Sequence, residues 1–413
     1  MFKIVRVPGK LEPFFGSLTK WFHWNHGEYF RAMVLAMAAG WGRRNVSALY
    51  RQWDTRKKTH RTRWNDFVKV CRWNPECALK QKAYELLGRL KPRPGDILRL
   101  VVDDSKKKKR GKRMEAVGWV HDPALGINVR GHLYVTAVIH FRGQVIPWGI
   151  RLYVKKEHCR PLGQTFRTIT ELAADLIRQF TPPEGVKVQV LFDSFYLCPV
   201  VVKACRRRGF RFVSTLKSNR NLYKGGRALK AGTYGPNLFR RVSLGHWCLH
   251  KSRGLARYDF ADADWLEVSD LGRLHVVFSK KNGRGRPLGI ATDDERLSAT
   301  GVIQAYELRY GAIETFFKDT KQLLGLGQYQ NGSLRAAVTH LHLVCFAYAL
   351  LTHIAIDREG EKGKSKMKRA APLSTEGRQN ELRRIVWQDL VDHLRHFRDA
   401  DDFARELGQL LIA

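Results

Sequence analysis

Between about residues 20 and 90 the apolar positions recur at helical spacing, tryptophans (Trp21, Trp24, Trp41, Trp53, Trp64, Trp73) recur among them, and no convincing strand intervenes. Arg43-Arg44-Asn45-Val46-Ser47-Ala48-Leu49 reads as a basic loop entering a helix, because an Asn before an apolar run can accept from the helix's free N–H groups. The segment 57–64 (KKTHRTRW), which includes Arg61 and Arg63, leads into a second helix, Asn65 to Cys71. Lys91-Pro92-Arg93-Pro94-Gly95 then breaks the helical pattern, and the β-branched run Ile97 to Val102 begins. Strand-like segments follow at 131–141 and 144–154, then a helix Phe166 to Phe180, an apolar run Val186 to Phe192, a helix Pro199 to Arg208 and a strand Phe210 to Leu216. Asn219 to Thr292 is a succession of short strands with many glycines, and helical periodicity resumes near Ala299.

Strands followed by helix, strand, helix and strand predict an α/β fold with an RNase H-like core. The expected organisation is a helical N-terminal domain at 1–95, core segments at 96–218 and 296–356, a β-rich insertion at 219–295 and a C-terminal helical region at 357–413. A flexible basic stretch, KGKSKMK at 362–368, lies within the last region. Ala336 to Ile356 approaches membrane-spanning length, but His340, His342 and His353 within it favour a buried core helix, so no membrane partner is expected. The N-terminus, MFKIVRVPGK, has no apolar segment of the secretory type, and a cytoplasmic location is expected.

Composition changes this picture in one respect. At 413 residues, with 44% hydrophobic and 27% charged residues, the chain has ample material for a core. Yet 74 Lys and Arg face 38 Asp and Glu, a formal net charge of +36 that calls for a polyanionic partner such as nucleic acid. The cysteines (Cys71, Cys77, Cys159, Cys198, Cys205, Cys248, Cys345) are scattered without C-x-x-C spacing, which indicates neither a disulfide framework nor a zinc knuckle.

Against this basic background two acidic strand ends stand out. Val101-Val102-Asp103-Asp104-Ser105 ends one buried run in carboxylates, and Val190-Leu191-Phe192-Asp193-Ser194 ends another. The first and fourth strands of an RNase H-like sheet are neighbours, so Asp103 and Asp193 would lie side by side and require a cation between them. A third acid is expected from a helix around 306–326, where Glu314, Lys318 and Lys321 share a stripe opposite the apolar Ile313, Phe316, Phe317, Leu323 and Leu324. Residues alternate sides along a strand, so one of Asp103 and Asp104 faces the metals; which one, the strand pattern leaves open.

On these residues the chain resembles the DDE transposases of bacterial insertion sequences, in particular the IS-four superfamily, which carries a β-strand insertion between its second Asp and its Glu. That family has a Y-x2-R-x3-E-x6-K signature, matched here by Tyr306, Arg309, Glu314 and Lys321. The D-D-S strand end before a basic loop and Gly118-Trp119, the F-D-S at Asp193, and Leu216-Lys217-Ser218-Asn219-Arg220 extend the match. One departure is plain: four residues, not three, separate Arg309 from Glu314, which rotates Arg309 by about 100° on a regular helix. Either a bulge at Gly311 restores the geometry or Arg309 is not equivalent.

The resemblance implies Asp103, two residues before a Ser, as the catalytic Asp, with Asp193 and Glu314 completing a set that holds two Mg²⁺ ions, Mn²⁺ substituting. It implies strand cleavage at the terminal inverted repeats of an element, joining to target DNA, and a homodimer on the paired ends. Lys321, Lys318, Arg309, Tyr306, Lys217, Asn219, Arg43, Arg44, Arg61 and Arg63 are the expected DNA contacts. The basic runs 106–113, 206–211 and 280–286 are the expected track for the phosphate backbone. Relatives stack an aromatic of the insertion on a flipped base, for which Trp247 and Trp265 are candidates beside a plain packing role. The competing readings are a catalytically inactive or domesticated DNA-binding relative and an RNase H-like nuclease.

Overall fold

The structure is a computed structural model and describes residues 2–54, 60–111, 113–122, 126–251, 254–363, 373–397 and 399–411. Positions 57–59 of the first basic segment, position 112 of the run at 106–113 and positions 364–368 of KGKSKMK lie outside the described residues.

The N-terminal part is helical: α1 (Trp24–Ala39), α2 (Val46–Arg51), α3 (Arg61–Val70) and α4 (Pro75–Arg89). Local chemistry sets their starts. Asn45 accepts from the Ala48 N–H and Asn74 from the Cys77 N–H, and Pro75 opens α4, where a missing N–H costs nothing.

The central sheet begins with β1 (Ile97–Lys108), β2 (Gly118–Asp122), β3 (Ile127–Phe141) and β4 (Gln144–Leu152). After α5 (Ile169–Arg178), closed by a Thr168/Glu171 capping box, come β5 (Lys187–Phe192), α6 (Pro199–Arg207) and β6 (Arg211–Thr215). β4, β3 and β1 pair antiparallel, and β1, β5 and β6 pair parallel, giving the order β4-β3-β1-β5-β6. This is the RNase H-like α/β core. β1 is central, so Leu98, Leu100, Val101 and Val102 are all fully buried, which is why its sequence is a continuous apolar run rather than an alternating one.

The β-rich insertion carries β7 (Asn221–Lys224), β8 (Arg227–Lys230), α7 (Ala231–Arg241), β9 (Gly245–Lys251), β10 (Gly254–Val268), β11 (Gly272–Lys281) and β12 (Leu288–Thr292). It does not form a sheet of its own. β12 pairs antiparallel with β6, so the core and insertion strands belong to one 12-stranded sheet that runs β2-β3-β1-β5-β6-β12-β11-β10-β7-β8. The β7–β8 hairpin turns on Gly225 and Gly226, both at positive φ (55° and 74°), as a tight two-residue hairpin requires. α7 was not expected from its sequence, which holds two glycines and Pro236; packing decides it, with Tyr234 stacked on Phe278 at 5.8 Å.

Helices close the chain: α8 (Ala299–Arg309), a π-turn at Tyr310–Glu314, α9 (Thr315–Leu323), α10 (Leu334–Gly363), α11 (Thr375–Leu394) and α12 (Ala400–Leu410). By length and composition α10 could cross a membrane, but its most apolar window is 83% buried inside the protein. Its Phe346 meets Phe30 of α1 edge-on at 4.9 Å. No break in packing follows residue 95, since α1, α4, the sheet and α10 share one hydrophobic core. α11 caps the end of α1: Gln379 Nε2 donates to the Ala38 carbonyl at 2.7 Å and Arg383 Nε to that of Ala39 at 2.9 Å.

Candidate active site

The parallel register of β1 and β5 ends with Val101 opposite Leu191. Two residues further along stand Asp103, on β1, and Asp193, one residue past the end of β5, on neighbouring strands whose spacing is about 5 Å. Both acids are fixed. Asp193 Oδ1 accepts from the N–H groups of Phe195 (2.9 Å) and Tyr196 (3.4 Å), closing the turn that leaves β5. Asp103 Oδ1 accepts from the Asp104 N–H at 2.9 Å, and its Oδ2 from Arg309 Nη2 at 2.8 Å. Asp104 has a different partner: the buried Tyr196 hydroxyl donates to its Oδ1 at 2.9 Å. Asp103 is thus the member of the pair that bonds the Arg309 side chain beside Glu314.

On a regular helix a five-residue step would set Arg309 and Glu314 about 140° apart. The backbone instead forms a π-turn over Tyr310–Glu314, which takes up one extra residue. Arg309 Nη1 therefore comes within 3.8 Å of Glu314 Oε1 while Nη2 holds Asp103. Glycine is not the cause. Gly311 has no positive φ, and a Cβ there would meet nothing within 4 Å. What holds the turn is the burial of Ala312 and Ile313, which keeps the following Phe316 and Phe317 in the core.

Negative charge is concentrated here in an otherwise strongly basic chain. The Asp103 carboxyl is pushed up to about 7: burial raises it most, Arg309 opposes, and Asp193 and Asp104 raise it further. Asp104 is likewise raised, chiefly by burial, with its Tyr196 hydrogen bond opposing. Oxygen-only donors with uncompensated charge match a hard divalent cation such as Mg²⁺ or Mn²⁺. Among the described residues no group of three His, Cys, Asp or Glu side chains is close enough to hold a metal, and the Arg309 guanidinium contacts both Asp103 and Glu314. The donor chemistry fits the ion; closing a third carboxylate on it requires that guanidinium to yield.

The expected DNA contacts fall into two groups. Lys318, Lys217, Asn219, Arg43, Arg61 and Arg63 are exposed. Lys321 is half-buried and lines a 490 Å³ cavity with Lys106, Lys107, Lys108 and Arg110, where burial and then Lys107 and Lys106 lower its pKa. Arg44 is different: it is 3% exposed, and its guanidinium donates to the carbonyls of Met37, Gly40, Gly42 and Leu323. Burial, followed by Arg383, lowers its pKa to about 10. It fastens the N-terminal helices to the end of α9 and cannot reach a phosphate.

Arg309, also expected on DNA, is 5% exposed and spent on the acids, while Tyr306 is half-buried with its ring 5.9 Å from the Arg309 Cζ. Within the run 106–113, Lys109 is buried and donates to the Gly327 and Tyr329 carbonyls at 2.8 and 2.9 Å, so it is a pin rather than part of a track. In the run 206–211, Arg208 donates to the Phe180 carbonyl and Arg211 to that of Asp293. Trp247 and Trp265 are both half-buried, against Tyr258 and stacked on His275 respectively. Sequence reasoning overlooked Tyr196, although a tyrosine three residues after a strand-end acid was visible in F-D-S-F-Y. A larger cavity of 1230 Å³ lies far along the chain from these acids, lined by residues that include His26, Tyr29, Arg63 and Glu406.

Residues 13–246, more than half of the chain, match the family described as DDE superfamily endonuclease. Residues 167–350 match the transposase DDE domain. No curated protein matches the chain. Among solved structures it is similar to the piggyBac transposase in a synaptic complex with hairpin DNA, with a TM-score of 0.48 and 10% identity over 97% of this chain and 81% of that one.

Proposed function

The chain belongs to the DDE superfamily endonucleases, and we propose that it is an insertion-sequence transposase that cuts DNA at the ends of its element and joins them to target DNA. The observation that carries this reading is the Arg309 bridge: its guanidinium bonds Asp103, whose strand lies parallel beside the one that ends at Asp193, and comes within 3.8 Å of Glu314 across the π-turn. The Tyr306, Arg309, Glu314 and Lys321 spacing of the Y-R-E-K signature supports the insertion-sequence type once that turn is counted.

In this reading Asp103, Asp193 and Glu314 hold two Mg²⁺ ions, or Mn²⁺, as DDE enzymes generally use divalent metals. Bound there, the ions would supply activation of a water or 3′-hydroxyl and stabilisation of the leaving oxygen. The chain's own residues prepare the site. Arg309 orients the Asp103 carboxylate, the turn N–H groups orient Asp193, and Tyr196 holds Asp104 aside. Lys321, Lys318, Lys217 and Asn219 take the phosphates nearest the acids. Arg43, Arg61 and Arg63 give the helical region 1–95 its DNA contact, with 96–218 and 296–356 as the catalytic core, 219–295 as the insertion and 357–413 as the C-terminal region. A homodimer on paired inverted repeats, acting in the cytoplasm at the nucleoid, completes the proposal.

The test is a duplex carrying the inverted repeats that flank the reading frame. Nicking in Mg²⁺ or Mn²⁺ that stops in EDTA and with Asp193→Ala is the expected result. Binding without nicking would leave a DNA-binding relative, and nicking without joining of the 3′-end to a second duplex would leave a nuclease.

A further inference from the structure

Arg44 and Arg309 are buried alike and held differently. Arg44 spreads its donors over four backbone carbonyls, those of Met37, Gly40, Gly42 and Leu323. Arg309 makes one hydrogen bond, from Nη2 to Asp103 Oδ2 at 2.8 Å, while its Nη1 stands 3.8 Å from Glu314 Oε1. Its buried Nε has no hydrogen-bond partner among the described residues. A guanidinium taken out of water with so few bonds is kept for its charge, because a buried ion short of hydrogen bonds is otherwise costly to the fold. The charge it answers is that of two acids from distant segments, Asp103 on β1 and Glu314 at the end of the π-turn. A divalent cation would answer the same two.

We propose that Arg309 is the internal counter-ion of these acids: it competes with divalent metal for Asp103 and Glu314, and so sets the metal affinity of the DNA-free protein. The proposal rests on reading Asp103, Asp193 and Glu314 as a metal site. It predicts the opposite of a purely orienting role. An arginine that only aimed the Asp103 carboxylate would help the metal, and its loss would weaken binding; the loss of a competitor strengthens it. The single bond makes displacement feasible. A hydrogen bond to a charged group is worth about tenfold to a hundredfold in an equilibrium constant, which a divalent ion can exceed by bringing twice the charge to both carboxylates.

The test uses the full chain, free of DNA, in mildly alkaline buffer that keeps carboxyls ionised. Mn²⁺ binding is read from the loss of the free-ion electron paramagnetic resonance signal. Arg309→Gln, which keeps a polar side chain and drops the charge, is expected to bind Mn²⁺ at least about tenfold more tightly than the wild type, and Arg309→Lys, which keeps the charge, should stay within about threefold of it. In EDTA Arg309→Gln should melt below the wild type, and saturating Mn²⁺ should raise its melting temperature by more than it raises that of the wild type. The unmodified chain gives a reading that needs no variant to fold. With ¹⁵N-labelled arginine, Mg²⁺ should move the Arg309 guanidinium signals and leave those of Arg44 in place.

Equal or weaker Mn²⁺ binding by Arg309→Gln, binding by Arg309→Lys as tight as by Arg309→Gln, or Mg²⁺ that binds without moving the Arg309 signals would overturn the competition. Metal-dependent nicking by the unmodified chain is scored separately. Nicking together with any of these results removes the counter-ion and keeps the enzyme, whereas tighter Mn²⁺ binding by Arg309→Gln without nicking keeps the counter-ion and removes the enzyme.

Discussion

Asp103 and Asp294 both stand at strand ends of the same sheet, and burial treats them alike while their neighbours do not. Asp294, just past β12, has a side chain only 1% exposed, but both its oxygens are satisfied: Arg296 bonds them at 2.6 and 2.8 Å, and Gln189 adds a donor at 3.3 Å. Burial raises its pKa, the Arg296 bonds outweigh that, and the group ends below the usual carboxylate range. Asp103 has one arginine, shared with Glu314, and two further carboxylates pushing against it. Buried acid alone is therefore no mark of a reactive site. The mark is negative charge left under-compensated where separate chain segments converge, which is costly to the fold and useful to a cation.

The contrast is sharpest under amide substitution. Asp193→Asn keeps the oxygen that accepts the turn N–H groups and removes a charge that repels Asp103. Metal-dependent nicking should fall by at least about 10³-fold, with a melting temperature unchanged or higher. A large loss of melting temperature would mean the acids are structural.

At Asp294 the sign reverses. Arg296→Ala strands a buried carboxylate and should cost about 3 kcal/mol in denaturant unfolding, with the folded fraction still nicking DNA. The cost should itself depend on pH. A carboxyl whose folded pKa is depressed contributes stability above its unfolded value of about 3.9 and loses it as pH falls through the folded value. The difference between wild type and Arg296→Ala should accordingly be full at neutral pH and shrink in acid; a constant difference would argue against the ion pair.

Deleting Gly311 gives Arg309 and Glu314 the three-residue interval of the Y-R-E-K signature on a regular helix. Nicking should survive within about tenfold, whereas inserting an Ala beside Gly311 turns the acid by a further 100° or so and should abolish it. Gly311→Ala should be neutral or stabilising by up to about 1 kcal/mol, since no special conformation is needed there. The smallest effect separates two adjacent arginines. Arg43→Ala should lower the salt slope of duplex binding by about one, while Arg44→Ala should destabilise the fold with the slope unchanged.

The core was legible because its signals are local and redundant. β1 and β5 are unbroken apolar runs that each end in an acid, and the helix–strand alternation between them leaves few topologies. α7 was not legible, since Tyr234 against Phe278 joins segments more than forty residues apart and overrides a poor local helix sequence. The sequence posed the Arg309 problem but could not answer it: whether an extra residue breaks a helix's phase depends on what Ala312 and Ile313 pack against. Arg44 and Lys109 were misread for a similar reason. A basic residue in a basic run looks solvated until the fold surrounds it with backbone carbonyls.

Because β12 joins the insertion to the core, the sheet also works as a ruler. From β1 to β8 it crosses seven strand spacings, a path of about 34 Å. That is close to one helical turn of B-form DNA. A duplex lying along the sheet with one phosphate at the acids would present the same side of its helix to the β7–β8 hairpin, roughly ten base pairs away. Hydroxyl-radical footprints should then show two protected patches at that interval, and a single patch would mean that the DNA leaves the sheet before reaching its far edge.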